Sequence, residues 1–279
     1  MSVRLKDLLE GWGYLAADWF FARWPQPVPS HAQLNACRLV AHRGEFDNRR
    51  VFENTFPAFD AAVQAGLWGI EFDIRWTADL IPVVHHDADL SRLYNDSTCI
   101  RDMRFDELRA RHPQIPTFEE MIHHYGGQCH LMIELKEEFY PDPDTQGRKL
   151  GRILAALTPK KDFHLLSFDP DLFDALQIGP ADVFIPIARL NTRELAQRAV
   201  ASGYAGIGGH YLLISSRSLV SCQHQGLQIA TGFANSTNSL FREVNRRIDW
   251  LFSDDPVSMQ QTLDQLRQKG WKGREAGKR

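Results

Sequence analysis

Two apolar segments of the chain each carry a pair of charged side chains at alternate positions. Glu71 and Asp73 lie in a segment that reads Gly-Ile-Glu-Phe-Asp-Ile-Arg, and Glu134 and Lys136 lie in one that reads His-Leu-Met-Ile-Glu-Leu-Lys. Alternate residues of a β-strand point to the same face, about 6.6 Å apart, and the residues between them point to the other face. Each segment therefore predicts a strand with one core face and one charged face.

These three carboxylates and one ammonium group need partners, because an isolated buried charge is strongly unfavourable. A divalent cation would satisfy the carboxylates, and a set of oxygen ligands favours a hard ion such as Mg²⁺ or Ca²⁺, with Mn²⁺ also suited. The alternative is a buried salt bridge from Lys136 to Glu71 or Asp73 that holds two strands together. The spacing leaves both interpretations open.

Composition limits the class of protein and of partner. The chain has 279 residues, 43% of them hydrophobic, and its 32 basic and 35 acidic side chains give a net charge of −3. That balance provides no basic field for nucleic acid. Four scattered cysteines and a beginning without the apolar run of a signal peptide predict free thiols and a cytoplasmic location. No feature of the sequence predicts an oligomeric state.

Strands and helices alternate along most of the chain. Apolar strands are predicted at 38–42, 69–76, 129–136, 164–168, 183–188, 205–209, 227–232 and 250–253. Helical patterns separate them, and several begin at a Ser, Thr or Asp suited to capping a helix. Eight strand–helix units predict a parallel sheet, and eight is the number that closes a (β/α)₈ barrel. We therefore expect a single TIM-barrel domain over residues 1–279.

Two segments fall outside this alternation. An apolar stretch at 81–86 follows the second strand too closely for a parallel crossover, so it predicts a β-hairpin that opens an insertion at 77–116. Residues 1–37 predict a helix and a proline-rich connector, with the helix packed on the bottom of the barrel. This helix has a stripe of aromatic residues, for which we favour packing in the core over contact with a membrane: Trp12, Tyr14, Trp19, Phe20, Phe21 and Trp24.

Further polar residues end the first strand and the hairpin. His42 and Arg43 follow the first strand, and His86 ends the hairpin. Because functional residues of a barrel gather at the carboxyl ends of its strands, we expect these side chains in one cavity with the acidic cluster. Such a set of charges suits phosphodiester cleavage, whose transition state gathers negative charge on oxygen. The two histidines would serve as acid and base.

These motifs resemble, in order, those of the glycerophosphodiester phosphodiesterases. The resemblance is carried by His42-Arg-Gly44, Glu53-Asn-Thr55, Glu71-Phe-Asp73, Thr77-Ala-Asp79, His86-Asp87 with Leu90 and Arg92, Ile115-Pro-Thr-Phe-Glu-Glu120 and Glu134-Leu-Lys136. It is continuous over residues 38–136. Beyond that it is looser, where the stretches at 166–169 and 252–256 resemble later strand-end signatures.

The resemblance implies metal-dependent hydrolysis of a small glycerophosphodiester to glycerol 3-phosphate and an alcohol. It also implies the roles of eight residues. His42 and His86 would be the acid–base pair, and Glu71, Asp73 and Glu134 the metal ligands. Arg43, Lys136 and Glu53 would contact the substrate. His85 is one residue out of phase on the hairpin and is expected to face away. Attack by the adjacent glycerol hydroxyl, through a cyclic phosphate, and direct attack by water both stay open.

One stretch departs from the family pattern. The family commonly has Trp-Thr-x-Asn at the end of the seventh strand, whereas this chain has Ala230-Thr-Gly-Phe-Ala234, followed by Asn235. The metal site is untouched by this change. The change predicts an altered or wider pocket for the glycerol or for its alcohol substituent.

Three other functions fit part of the pattern. The same site could act on a lysophospholipid, as a lysophospholipase D. A Schiff-base aldolase would use Lys136 as its nucleophile. A catalytically silent barrel would keep the site for binding alone.

Overall fold

The computed structural model describes residues 18–276, with side chains described up to residue 268. The strands are β1 (Leu39–His42), β2 (Gly69–Trp76), β3 (Pro82–Val84), β4 (Asp89–Leu90), β5 (Asp96–Cys99), β6 (His130–Leu135), β7 (Phe163–Ser167), β8 (Phe184–Ala188), β9 (Gly206–His210), β10 (Gln228–Gly232) and β11 (Trp250–Ser253). The helices are α1 (His31–Ala36), α2 (Phe56–Gln64), α3 (Ser91–Tyr94), α4 (Phe105–Arg111), α5 (Phe118–Tyr125), α6 (Pro143–Leu154), α7 (Asp171–Leu176), α8 (Thr192–Ser202), α9 (Ser216–His224), α10 (Thr237–Asn245) and α11 (Pro256–Ala276).

Eight parallel strands close into a barrel. Their order around it is β1, β2, β6, β7, β8, β9, β10 and β11, and β11 pairs with β1. The predicted TIM barrel is therefore confirmed, and each predicted barrel strand lies within two residues of an observed one. A capping box starts α5, since Thr117 and Glu120 exchange side-chain and backbone hydrogen bonds.

Alternation along β2 separates the core from the site. Ile70, Phe72 and Ile74 belong to the apolar layer between the strands and the surrounding helices. The residues between them point into the barrel, where the bottom is filled by a second cluster that includes Val40, Met132, Leu166, Ile185 and Trp250. Charged side chains of β2 and β6 thus lie above an apolar floor.

The predicted hairpin is present, and the insertion behind it has its own small core. Strand β3 pairs antiparallel with β2. The short strands β4 and β5 and the helices α3 and α4 then enclose the buried residues Val83, Leu90, Ile100, Met103, Leu108 and Ile115. The sequence pattern predicted none of the short elements after β3, because elements of two to seven residues are stabilised by these tertiary contacts rather than by local propensity.

The segment before the barrel differs from the prediction in two ways. Residues 18–23 are helical and the helix ends before Pro25, while residues 1–17 lie outside the described part. Phe21 packs edge-on against Tyr211, with ring centroids 5.6 Å apart, and Ala22 accepts a hydrogen bond from Asn238. Because Tyr211 follows β9 and Asn238 opens α10, this helix lies beside the mouth, and its expected position on the bottom is wrong.

The connector also contains a helix that was not predicted. Ser30 and Gln33 form a capping box that starts α1, and α1 packs against α10 and α11. All four cysteines lie in the described part and are free thiols. Within residues 18–276 no helix combines the length and the apolar character needed to cross a bilayer.

Candidate active site

Three carboxylates meet inside the mouth of the barrel. Strand β2 contributes Glu71 and Asp73 and strand β6 contributes Glu134, and the strand register places Asp73 directly opposite Glu134. Each residue offers one oxygen, and these oxygens all lie within 4.8 Å of one another. All three side chains are buried, and Asp73 has no exposed surface.

Two cations accompany the carboxylates. The Nζ of Lys136 lies 2.6 Å from an oxygen of Glu134 and 3.1 Å from an oxygen of Asp73, and the Nε of Arg43 lies 3.3 Å from the other Asp73 oxygen. Burial acts to raise the pKa of Asp73, but Lys136 and Arg43 outweigh it and lower that pKa. The predicted salt bridge from Lys136 is therefore present together with the acidic cluster, so the two interpretations are compatible.

The cluster fits a divalent cation. Burial, followed by the charges of Asp73 and Glu134, raises the pKa of Glu71 well above its ordinary value. The three carboxylates of the cluster outnumber the two cations that contact them, Lys136 and Arg43, so negative charge is left in excess. The donor set is all oxygen, which matches the preference of Mg²⁺, Ca²⁺ or Mn²⁺.

His42 is fixed at the end of β1 by a carboxylate distant in sequence. Its Nδ1 lies 2.6 Å from Oδ1 of Asp254, and the other oxygen of Asp254 accepts a hydrogen bond from Asn235. The Nε2 of His42 lies 3.9 Å from Glu71. Burial and the adjacent Arg43 lower the pKa of His42 despite the Asp254 carboxylate.

His86 is fixed by the residue that follows it. Its Nδ1 lies 2.7 Å from Oδ1 of Asp87, whose other oxygen accepts a hydrogen bond of 2.6 Å from the Nε of Arg92. Arg75 donates two hydrogen bonds to the backbone carbonyl of His86. His85 is turned the other way, into the insertion, where its Nε2 lies 3.2 Å from the carbonyl oxygen of Asp89.

The Glu-Asn-Thr motif, residues 53–55, holds side chains of the site in place through hydrogen bonds. Glu53 accepts hydrogen bonds from Arg43 and, through both of its oxygens, from Arg92. Burial acts to raise the pKa of Glu53, but Arg92 and Arg43 outweigh it and lower it to about 2. Asn54 donates a 2.8 Å hydrogen bond to Asp73. Glu53 does not line the cavity, and it holds two arginines in place. Its expected contact with the substrate stays a prediction.

Gly44, which follows β1, lets helix α2 approach the end of that strand closely. Its φ is +88°, and a Cβ there would lie 2.7 Å from the carbonyl carbon of Ala58 in α2. Any other residue would be strained in that backbone conformation and would push α2 away. The His-Arg-Gly sequence therefore turns the chain at the end of β1 while His42 and Arg43 face the cavity.

A cavity of about 370 Å³ opens at the mouth above the cluster. Its charged side consists of residues from β1, β2, the hairpin and the end of β6, namely His42, Arg43, Glu71, His86, Glu134 and Lys136. Its opposite side is mostly apolar, with Arg189 and His210 as its ionisable residues. All the residues expected at the site line this cavity except Asp73, buried beneath it, and Glu53.

The departure from the family pattern lies against His42. The Phe233 ring packs on the His42 ring with centroids 4.4 Å apart, and Asn235 supports Asp254. Sequence reasoning missed Asp254, Arg75 and Asn54 as supporting residues. Each could have been found from a feature of the sequence. Asp254 lies in the strand-end stretch at 252–256, Arg75 is a charge at an inward position of β2, and Asn54 belongs to the Glu-Asn-Thr motif.

Comparison with known proteins places this geometry in a family. Residues 42–257 match the model of the glycerophosphoryl diester phosphodiesterase family. A glycerophosphodiester phosphodiesterase of Caldanaerobacter subterraneus subsp. tengcongensis is 24% identical over 83% of this chain and 98% of its own length. Human glycerophosphodiester phosphodiesterase 1 is 33% identical over 56% of this chain, and mammalian proteins of that name match over 34% to 55% of their length.

Solved structures share the fold. A glycerophosphodiester phosphodiesterase from Parabacteroides distasonis superposes with a TM-score of 0.70 at 21% identity, covering 82% of this chain and 98% of that one. A phosphodiesterase from Oleispira antarctica gives a TM-score of 0.69 at 23% identity, covering 81% and 96%. The family match extends over most of the chain, so this protein belongs to the glycerophosphoryl diester phosphodiesterase family and is a phosphoric diester hydrolase.

Proposed function

We propose that this protein hydrolyses small glycerophosphodiesters to glycerol 3-phosphate and an alcohol in a metal-dependent reaction. The observation that carries the proposal is the cluster of Glu71, Asp73 and Glu134, buried at the floor of a cavity that two aspartate-held histidines also line. The phosphodiesterase from Oleispira antarctica was solved with the product sn-glycerol-3-phosphate, which supports the same product here.

The charges of the cavity suit a phosphodiester anion. Arg43 and Lys136 line the cavity, where they can bind and orient the phosphoryl oxygens. Glu71, Asp73 and Glu134 would hold a divalent cation, which supplies Lewis-acid stabilisation of the negative charge when bound. Charge stabilisation is the main requirement, because phosphoryl transfer depends chiefly on positioning and electrostatics.

The two histidines provide the proton transfers. Asp254 and Asp87 each hold an Nδ1, which leaves Nε2 of His42 and of His86 for the substrate. One Nε2 takes the proton of the attacking hydroxyl, from glycerol or from water, as the new bond to phosphorus forms. The other gives a proton to the alcohol oxygen as its bond to phosphorus breaks. Deletion of either group then slows the reaction by about 10²–10⁴-fold.

The environment of Lys136 disfavours a Schiff-base aldolase. Burial acts to lower the pKa of Lys136, but Asp73 and Glu134 outweigh it and raise that pKa. A nucleophilic lysine needs a lowered pKa to be a free amine near neutral pH. Lys136 therefore stays an ammonium ion, suited to binding an anion.

The direct test is a metal-supplemented assay. Protein stripped with EDTA is incubated with glycerophosphocholine and Mg²⁺, Ca²⁺ or Mn²⁺, and glycerol 3-phosphate is measured. We expect release only with an added ion, abolished in Glu71→Gln and retained in Glu119→Gln, which removes an exposed glutamate outside the cavity. Equal release without any ion, or none from a panel of glycerophosphodiesters with all three ions, contradicts the proposal.

A further inference from the structure

The cavity has an apolar side that the charge chemistry does not require. Strands β7 to β11 and the loop after β9 line it with Leu166, Ile187, Leu213 and Phe252. Small residues also line it, namely Gly208, Gly209 and Ala230. An apolar wall opposite a phosphodiester site suits a substrate with a hydrocarbon part.

Exposed apolar side chains surround this side of the mouth, and we call them the apolar rim. The rim consists of Trp19 (61% exposed), Phe20 (45%), Trp24 (56%), Leu190 (71%) and Leu212 (41%). Large apolar residues gathered in this way mark an interaction site rather than ordinary surface. The aromatic residues expected in the core are therefore divided, with Phe21 packed on Tyr211 and the other three described members exposed.

The rim is continuous with the apolar side of the cavity. Leu212 precedes Leu213, which lines the cavity, and Leu190 follows Arg189, which also lines it. The helical segment that carries Trp19 and Phe20 lies against Tyr211, next to Leu212. A hydrocarbon chain that leaves the cavity on this side would pass directly onto the rim.

The charge around the rim suits an anionic surface. Arg23 is exposed and stacks over the Trp19 ring at 4.2 Å. Arg193 and Arg217 are exposed in the first turns of α8 and α9, the helices that follow the loops at the mouth after β8 and β9. Glu194 is exposed beside Arg193, and the three arginines outnumber it. Aromatic residues flanked by arginines are the composition found where proteins meet the headgroup region of a bilayer.

We propose that the barrel mouth binds an anionic lipid surface through the apolar rim. The cavity then opens toward that surface, and any turnover there rests on the proposed phosphodiesterase function. Apolar side chains enter the interface and the arginines contact lipid phosphates. This differs from the sequence-based preference for core packing because three aromatic residues of the stripe are exposed.

Vesicle binding tests the rim without requiring turnover. The full chain is sedimented with vesicles of equal parts phosphatidylglycerol and phosphatidylcholine, and with phosphatidylcholine vesicles alone. We expect binding to the anionic vesicles, weakened about tenfold or more by Trp19→Ser with Trp24→Ser and by Leu190→Ser with Leu212→Ser. The matched control, Val200→Ser with Val220→Ser, removes two exposed apolar residues from the outer helices and keeps wild-type affinity.

Circular dichroism melting of each variant checks that the fold is kept. No binding by the wild type, or equal weakening by rim and control variants, overturns the proposal. A rim substitution that changes only self-association in analytical ultracentrifugation also overturns it, because the rim would then be a contact between copies. Since glycerol 3-phosphate release from soluble glycerophosphocholine is measured separately, failure of vesicle binding is distinct from failure of the phosphodiesterase function.

Discussion

Each end of the barrel holds a pair of histidines, and their surroundings differ. At the mouth, His42 and His86 are each bonded to an aspartate and line an open cavity. At the bottom, Nε2 of His130 lies 2.8 Å from Nδ1 of His164, and the pair is flanked by the rings of two tryptophans, Trp68 and Trp250. Burial lowers the pKa of His130 to about 4 and that of His164 to about 3.

The difference shows that position in the fold decides what a histidine does. At the mouth an aspartate bonded to Nδ1 orients each ring and leaves Nε2 for the substrate, where the proposed proton transfers take place. Burial and Arg43 lower the pKa of His42, so orientation and access to the cavity, not a favoured charge, separate it from the bottom pair. A histidine at the bottom is enclosed among aromatic rings, and burial disfavours its charged form, so it stays neutral as part of the core. This agrees with the general division of barrels into a catalytic carboxyl end and a stabilising amino end.

The largest effect is expected from the acidic cluster at the mouth. Asp73→Asn should lower kcat/KM by at least about 10³-fold and abolish metal binding, because it removes a buried ligand. Calorimetric titration with Mn²⁺ and release of glycerol 3-phosphate measure the two effects. Unchanged metal affinity in Asp73→Asn would remove this residue from the ligand set.

Substitution of the histidines compares the two ends directly. His42→Ala and His86→Ala should each lower turnover by about 10²–10⁴-fold while metal binding remains. His164→Leu at the bottom should leave the turnover of the folded protein within about threefold of wild type and lower its melting temperature instead, since loss of a buried contact acts on stability. Equal loss of turnover at both ends would refute the distinction.

The aspartate partners should give an intermediate effect. Asp254→Asn and Asp87→Asn keep the size of the side chain but remove the charge that orients each Nδ1. We expect turnover to fall about 10–100-fold, as for other groups that orient functional histidines. Asp171→Asn, an exposed aspartate in the first turn of α7, is the matched control and should behave as wild type. Wild-type turnover in both test variants would show that the aspartates do not assist the histidines.

The smallest effect is a dependence of stability on pH from the bottom pair. Imidazole in an unfolded chain titrates near about 6.5, so between that pH and about 4 the unfolded chain binds protons that the folded one excludes. The free energy of unfolding has its full value above about pH 6.5. It falls as the pH drops toward about 4, by about 1.4 kcal/mol per pH unit for each histidine. Urea unfolding at pH 7 and pH 5 measures the slope.

His164→Leu should flatten this slope, whereas His224→Leu, which removes an exposed histidine, should keep it. An identical slope in wild type and His164→Leu would mean that the bottom pair does not resist protonation.

The sequence predicted the barrel and the residues on the charged side of the cavity because both depend on local patterns. Strand periodicity orients Glu71 and Asp73, and alternation of strands with helices brings β2 beside β6. Such local patterns do not predict contacts between segments that are distant in sequence. The bond from His42 to Asp254 joins residues 212 positions apart, and the packing of Phe21 on Tyr211 placed the first helix at the mouth. The two arginines that bind Glu53 were likewise not evident from spacing.

The central claim is that the acidic cluster binds a divalent cation, and anomalous diffraction from crystals grown with Mn²⁺ tests it most directly. We expect one strong anomalous peak bonded to oxygens of Glu71, Asp73 and Glu134, at about 2.0–2.6 Å, the range of oxygen ligands to hard cations. A peak elsewhere, or none at the cluster while Lys136 keeps its contacts with Asp73 and Glu134, would contradict the account.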